Sequence, residues 1–504
     1  MKGKATMETR SFKIGLAVLA LAAWAGPARA QTPTNTWATA SGNWGTASIW
    51  TTNTVPGSGN DVYIGASTGA PGNAALTATV TLTANESAAD VFLGYGNTSS
   101  GTLALGSNAL TVSGNINIGI VGNGGTGSIT EGAGGSFTAA GLNIYSTSVA
   151  SSINSYTFGS KDVVGSLLVN GPSTATTVAT GNVTGNAYVE AGGTLNLGAA
   201  MNFYGGGVVD VEGPGSVLNM NGHSIGANAV ELGYNGSSAV TIQNQGTIST
   251  GNLLMGNSTS LTLGSSDQAS DLTLTTKSTL TTSATGNLGG NVSVLSGSTL
   301  NMGAAISAIG NVSVQDAGSA INANGHGITS QNLYVGWYGS SAASLTNAGP
   351  VTTNDLYVGN GSALTLHGGD TVNSLIDLKG GSTLTVQEVG GTGLTLSGTS
   401  LSSLTIDPSQ MDLIFTPSST PNWDFRWQDP TGGGNWISTI DGLIAGGQIQ
   451  ITAPNGYSVV DNGGYTYIDG TPQGIVPEPS SVIMLSLGAL GVLGMMAARR
   501  RRAG

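Results

Sequence analysis

The sequence predicts an all-β chain. Its body reads as a right-handed parallel β-solenoid of Gly-rich repeats, with an N-terminal signal helix and a single C-terminal transmembrane helix. Three observations carry this. Apolar and polar residues alternate with period two, as in Thr77-Ala78-Thr79-Val80-Thr81-Leu82-Thr83 and Leu272-Thr273-Leu274-Thr275, which is strand spacing with one face in and one face out. Glycine makes up 82 of 504 residues and clusters with Asn and Ser in turn dipeptides between such runs. The runs also recur at fixed spacing, the mark of a stacked array. No amphipathic helix is expected between the two end segments.

Residues 1–30 form the first element. Lys2, Lys4, Arg10 and Lys13 give a basic start, Ile14 to Trp24 is apolar, and Gly26-Pro27 breaks the run. Ala28-Arg29-Ala30 supplies the small residues of a cleavage site before Gln31. This is the pattern of a secretory signal peptide, with signal peptidase as its implied partner.

Residues 31–65 form a Trp-rich N-terminal cap. Trp37, Gly42-Asn43-Trp44, Trp50 and Val55-Pro56-Gly57 follow one another there. A stacked array needs such a cap because its end strand has an open edge. The pattern from Thr36 to Gly65 resembles the opening of proteins with autotransporter-associated β-strand repeats. That resemblance implies a β-solenoid to follow.

Residues 66–400 form the repeat region. Gly290-Asn291-Val292-Ser293-Val294 repeats Gly185-Asn186-Ala187-Tyr188-Val189, and Asn324-Gly325-His326 repeats Asn221-Gly222-His223. The two blocks span about 185–267 and 290–370. Within them Gly233 to Gly256 and Gly336 to Gly359 repeat an interval of 23 residues. A unit of that size made of short strands cannot bury its own apolar face, so stability comes from stacking on neighbours. Residues 401–475 depart from the pattern and are expected to form a small β cap and linker. They hold a second aromatic group, Trp423, Trp427 and Trp436.

Residues 476–504 form the last element. Pro477-Glu478-Pro479 precedes an uncharged apolar run from Val482 to Ala498, and Arg499-Arg500-Arg501-Arg502 follows it. Seventeen helical residues reach roughly 25 Å, just enough for a bilayer core. The Arg cluster acts as a basic stop on the cytoplasmic side. Motif, spacing, charge and terminal position together resemble the PEP-CTERM sorting signal. The resemblance implies an exosortase-like transpeptidase as partner. It also implies an inner-membrane-anchored precursor whose mature form reaches the cell surface or the extracellular matrix.

Charge narrows the function further. Of 13 Lys and Arg residues, only Lys161, Lys277, Lys379 and Arg426 lie between the end segments. Against these four cations, Gln31 to Ala498 holds 24 acids, a formal charge of −20. Such a body cannot neutralise a phosphate backbone, so nucleic acid is excluded as a partner. Cysteine is absent, which removes disulfides, thiol chemistry and Cys-based metal sites.

The residues offer no catalytic set, no cofactor and no metal site. Gly65-Ala66-Ser67-Thr68-Gly69 matches a nucleophile elbow, but Ala70-Pro71-Gly72 follows where a helix is required. His223 and His326 hold equivalent repeat positions and read as turn residues. Asp424, Arg426 and Asp429 read as a salt-bridged turn.

The expected protein is therefore not an enzyme. It is an exported structural or adhesive solenoid of the cell surface or extracellular matrix, and the sorting resemblance links it to exopolysaccharide or biofilm. Its partners would be exopolysaccharide or another surface protein. An alternative is a carbohydrate-binding or carbohydrate-acting β-helix, with Trp37, Trp44, Trp50, Trp423, Trp427 and Trp436 as candidate glycan contacts. A compact pair of carboxylates on adjacent rungs would favour it. A minor alternative is an ice-binding solenoid, with Thr77, Thr79, Thr81 and Thr83 along one strand.

Overall fold

The structure is a computed structural model. It describes residues 34–387 apart from 67–75, 97, 120–124, 147–153, 204–205, 237, 244, 339–340, 347–348, 360, 368–369 and 379–381; beyond these it describes 394–396, 404–406, 411–416, 425–428, 437–445, 450–451, 458–462 and 465–469. The signal segment with Ala28, Ala30 and Gln31 lies outside the described residues. So do Pro477, Glu478, Pro479, the apolar run and Arg499 to Arg502. Among the described residues no helix is long and apolar enough to cross a membrane.

The chain winds into a parallel β-solenoid of about 13 turns. A 24-stranded sheet runs the length of one side, and sheets of four, five and nine strands follow one another on the other. Period-two alternation explains both. Leu253, Leu272, Val292, Val312, Leu333 and Leu356 are partners in successive rungs, and each is at most 1% exposed. Like aliphatics thus stack on like down the inside. Each buried side chain contributes on the order of 1.5–3 kcal/mol before conformational entropy is counted.

Long strands bend once. In Ile328–Val335 the buried residues are Ile328 and Ser330, then Leu333 and Val335. The alternation slips by one at Gln331-Asn332, which turns the chain through a corner. Ladder geometry fails there, and side chains from the rung before supply the missing acceptors. Asn115 N–H donates to Asp90 Oδ1 at 2.5 Å, Val208 N–H to Asn186 Oδ1 at 3.0 Å, and Asn291 N–H to Asp271 Oδ1 at 2.6 Å. Short polar residues in this column thus pair the corner N–H groups that the ladder leaves without an acceptor. The other corners rely on glycine. Gly94 has φ +71°, and a Cβ there would sit 2.1 Å from the Thr126 carbonyl oxygen.

The N-terminal end is sealed by aromatics. Trp44 and Trp50 meet edge to face at 5.3 Å, and Trp50 Nε1–H donates to the Trp44 carbonyl at 2.8 Å. Trp37 stacks on Tyr63 at 3.9 Å, and Tyr63 on Phe92 at 4.5 Å. Trp37, Trp44 and Trp50 are 6%, 0% and 1% exposed. Glycan contact at these three positions is therefore corrected. Their faces are spent on packing, and no ring face is open to a sugar.

Parallel pairing continues beyond residue 400. Met411–Thr416 pairs with Ser382–Gln387, and Phe425–Gln428 pairs with Leu394–Leu396. The pattern then changes, as the hairpin Ser458–Asn462 and Tyr465–Asp469 adds antiparallel to Phe425–Gln428. Beside it lies a helix, Ile437–Ala445, where none was expected. Ile437, Ile440 and Ile444 recur at helical spacing, and Ile440 is fully buried. Ser438, Thr439 and Gly442 weaken the helical signal in the sequence, so tertiary burial decides the outcome. Trp427 lies on the strand Phe425–Gln428; Trp423 and Trp436 lie outside the described residues.

Candidate functional site

The outer face of the long sheet brings together residues that are distant in sequence. On successive rungs, Glu190 pairs with Glu212 and Asp210 with Glu231. Alternation puts all four on the outward side of their strands. With strands ~4.8 Å apart, this is the compact set of carboxylates that the sequence left open. Burial pushes the Asp210 carboxyl up to about 7, helped by the charges of Glu212, Glu231 and Glu190. Burial likewise raises Glu212 and Glu231. Asp210 Oδ1 and Glu212 Oε2 are enclosed without a hydrogen-bond partner among the described residues.

A cleft of about 440 Å³ lies on the same stretch of the rod, lined by Asn202, Phe203, Gly206, Gly226, Ala227, Asn228 and Ser249. Its lining carries no carboxylate. The acids and the concavity are thus separate features. Among the described residues no group of three or more His, Asp or Glu is arranged to hold a metal ion.

A second cluster is internal. Tyr156 is 4% and Asp162 1% exposed. The Tyr156 hydroxyl reaches Glu131 Oε1 at 2.6 Å and also Asp162 Oδ2. Asp162 accepts the N–H of Phe137 at 3.0 Å and of Gly159 at 2.6 Å, so its oxygens face donors. A phenol has one proton and cannot serve two carboxylates. With the phenol proton on Asp162, a protonated Glu131 would donate to the phenol oxygen. Burial, with the adjacent Asp162, raises the Glu131 carboxyl to about 7. Gly159 makes room, since a Cβ there would sit 2.2 Å from Glu131 Oε2.

The same frame recurs along the rod. Asp267 accepts Ile248 N–H at 2.7 Å and Gly264 N–H at 2.7 Å, and Asp370 accepts Val351 N–H at 2.8 Å. In the second copy Gln245 Nε2–H donates to Asp267 Oδ2 at 2.8 Å. A neutral amide does there what the protonated cluster does at Asp162. The sequence reading missed these aspartates; their signal was a recurrence near one hundred residues, the block length already visible.

Other singled-out residues are turns or lie outside the description. Asn221 and Asn324 have φ of 49° and 52°, and His223 and His326 N–H close equivalent turns at 2.8 Å. Ser67 to Gly69, Asp424 and Asp429 lie outside the described residues. Thr77 and Thr79 face solvent, but the next rung sets Ser100 and Thr102 beside them, and Ala104 beside Thr81. A regular threonine lattice is absent among these rungs.

Fold and face together define a parallel β-solenoid with outward polar and aromatic columns. Residues 476–502 match the PEP-CTERM protein-sorting motif. The match contains Pro477-Glu478-Pro479 and all four terminal arginines. It implies an exported, membrane-associated precursor recognised by an exosortase-type processing enzyme. No curated protein and no solved structure matches the chain.

Proposed function

We propose that this protein is a non-enzymatic, structural or adhesive rod of the cell surface or extracellular matrix, associated with exopolysaccharide or biofilm. The sorting motif at residues 476–502 behind a solenoid body is the observation that carries this reading. A right-handed rod with repeated Ser, Thr and Asn outward rows suits multivalent weak contact, in which many individually weak sites give useful avidity. The likeness of residues 36–65 to autotransporter-associated repeats belongs to the same reading. Its partners are signal peptidase, an exosortase-like transpeptidase, and exopolysaccharide or another surface protein.

Intact mass and cell fractionation in the native host test it. With Pro477-Glu478-Pro479 intact, the mature form is expected to end near that motif and to leave the inner membrane. Replacing the three residues with alanines is expected to hold most of the protein in the membrane with its tail uncut. If both forms stay in the membrane, the segment is a plain anchor and the matrix reading fails.

A second reading is carbohydrate hydrolysis, favoured by the carboxylates on adjacent rungs. Asp210, raised to about 7, suits a general acid, and the strand spacing is close to the ~5–5.5 Å of retaining glycosidases. On that reading Asp210→Asn is expected to lower reducing-end release from polysaccharide by about 10²-fold or more. Absence of release by the unmodified protein rules it out.

A further inference from the structure

Four rings gather on the solvent side of two rungs. Tyr334 and Tyr357 are register partners, and their rings stack at 4.6 Å with an 8° tilt. Trp337 packs against Tyr357 at 5.1 Å and Tyr338 against Tyr334 at 5.2 Å. Tyr338 is 72% exposed. Tyr334, Trp337 and Tyr357 are half-buried, so the group differs from the buried Trp37, Trp44 and Trp50.

The internal duplication shows that the fold does not need these rings. One block earlier, 103 residues back, the same four positions hold Glu231, Tyr234, Asn235 and Leu254. The inward neighbours stay aliphatic in both blocks: Val230, Leu232 and Leu253 answer to Leu333, Val335 and Leu356. Core and register are kept while the outward positions change from Glu, Tyr, Asn and Leu to four aromatic residues. Core packing accounts for the inward positions; the outward rings stack on one another, but the aliphatic core does not require them.

The surroundings fit one class of ligand. A sugar ring offers an apolar C–H face and a rim of hydroxyls. Here an aromatic surface lies beside a row of polar groups at the neighbouring corner, Asn311, Asn332 and Asp355, the first two joined by a side-chain hydrogen bond. Tyr357 Oη–H donates to Asp355 Oδ2 at 3.5 Å. The charge excludes polyanions: the body has four cations against 24 acids, and the patch contains none of the four. We propose that Tyr334, Trp337, Tyr338 and Tyr357 form a binding platform for an uncharged polysaccharide chain. The choice of a glycan rests on the matrix reading above.

The test grafts the first block's residues onto the second. The variant Tyr334→Glu, Trp337→Tyr, Tyr338→Asn, Tyr357→Leu should fold, because the equivalent rungs carry those residues. The processed protein from its own host is passed over amorphous cellulose, curdlan and dextran, with polygalacturonate as the anionic control. Unmodified protein is expected to be retarded on at least one neutral matrix and not on polygalacturonate. The variant should lose at least tenfold in affinity with an unchanged melting temperature. Equal retention of the two forms, or no retention of either, overturns the proposal. So does a concentration-dependent mass lost in the variant without glycan retention, which would assign the patch to self-association. Matrix fractionation of the same pair reads the broader function separately. Unmodified protein absent from the matrix fails that reading, whereas both forms present in equal amount fails only the patch.

Discussion

Replacing Trp44 with alanine is expected to cost about 3 to 5 kcal/mol and to open the first turns of the rod. Trp44 is fully buried and meets Trp50 edge to face. Its Nε1–H donates to the Pro56 carbonyl at 3.4 Å, and its own carbonyl accepts from Trp50. The cavity left behind cannot collapse easily, because rung register fixes the backbone around it. The array contacts only neighbours, so the loss should stay at the N-terminal end rather than melt the rod as a whole. Hydrogen exchange should therefore quicken across residues 34–66, while 290–335 keeps its protection. The freed strand edge should also promote aggregation. Uniform loss of protection along the rod, or a cost below about 1 kcal/mol, would show that the aromatics do not act as a cap.

The second expected result is a pH dependence set by Glu131. Its carboxyl is raised from 4.5 to about 7 in the folded chain, first by burial. The folded state thus holds a proton that the unfolded chain releases near 4.5. Stability from this group is complete below about 4.5 and is lost as pH rises through about 7. Above that, Glu131 and Asp162 are two carboxylates competing for one phenol proton. Tyr156 and Asp162 are the titratable groups that bear on Glu131. Asp210, raised to about 7 by burial and neighbouring acids, acts in the same direction on other rungs. The Glu131 contribution is on the order of 1–2 kcal/mol once partial solvent exposure is discounted.

Glu131→Gln separates it from the rest. An amide donates at every pH, as Gln245 does to Asp267. Hydrogen-exchange protection factors around Thr126–Glu131 and Ser155–Thr157, which divide out base-catalysed intrinsic exchange, should fall between pH 5 and pH 8 in the unmodified chain. They should change much less in the variant. The same pH dependence in both would mean that the proton is not shared as described.

Parts of this architecture were legible because they rest on local pattern. Alternation in Thr77 to Thr83 marked a strand, and Asn-Gly at residues 221–222 and 324–325 marked turns that require positive φ. The helix Ile437–Ala445 was not legible, since its local propensity is weak and Ile440 is helical through burial. The tryptophans were half legible. Their place at an end of the array followed from sequence position, but burial of Trp37, Trp44 and Trp50 follows from rings stacking across rungs. The aromatic face at Tyr334 and Tyr357 was hidden because the two residues are 23 apart and meet only through register.

What the sequence by itself determined is the address of the chain and the kind of repeat it carries, because targeting segments and strand periodicity are local properties. Only the tertiary structure decided which side chains share a face. The rung offset sets that choice, and it placed Asp210 over Glu231, Tyr334 over Tyr357, and Glu131 against Tyr156. A one-residue slip would send each side chain to the opposite side of the sheet, so no reading of separate strands could have assigned these partners.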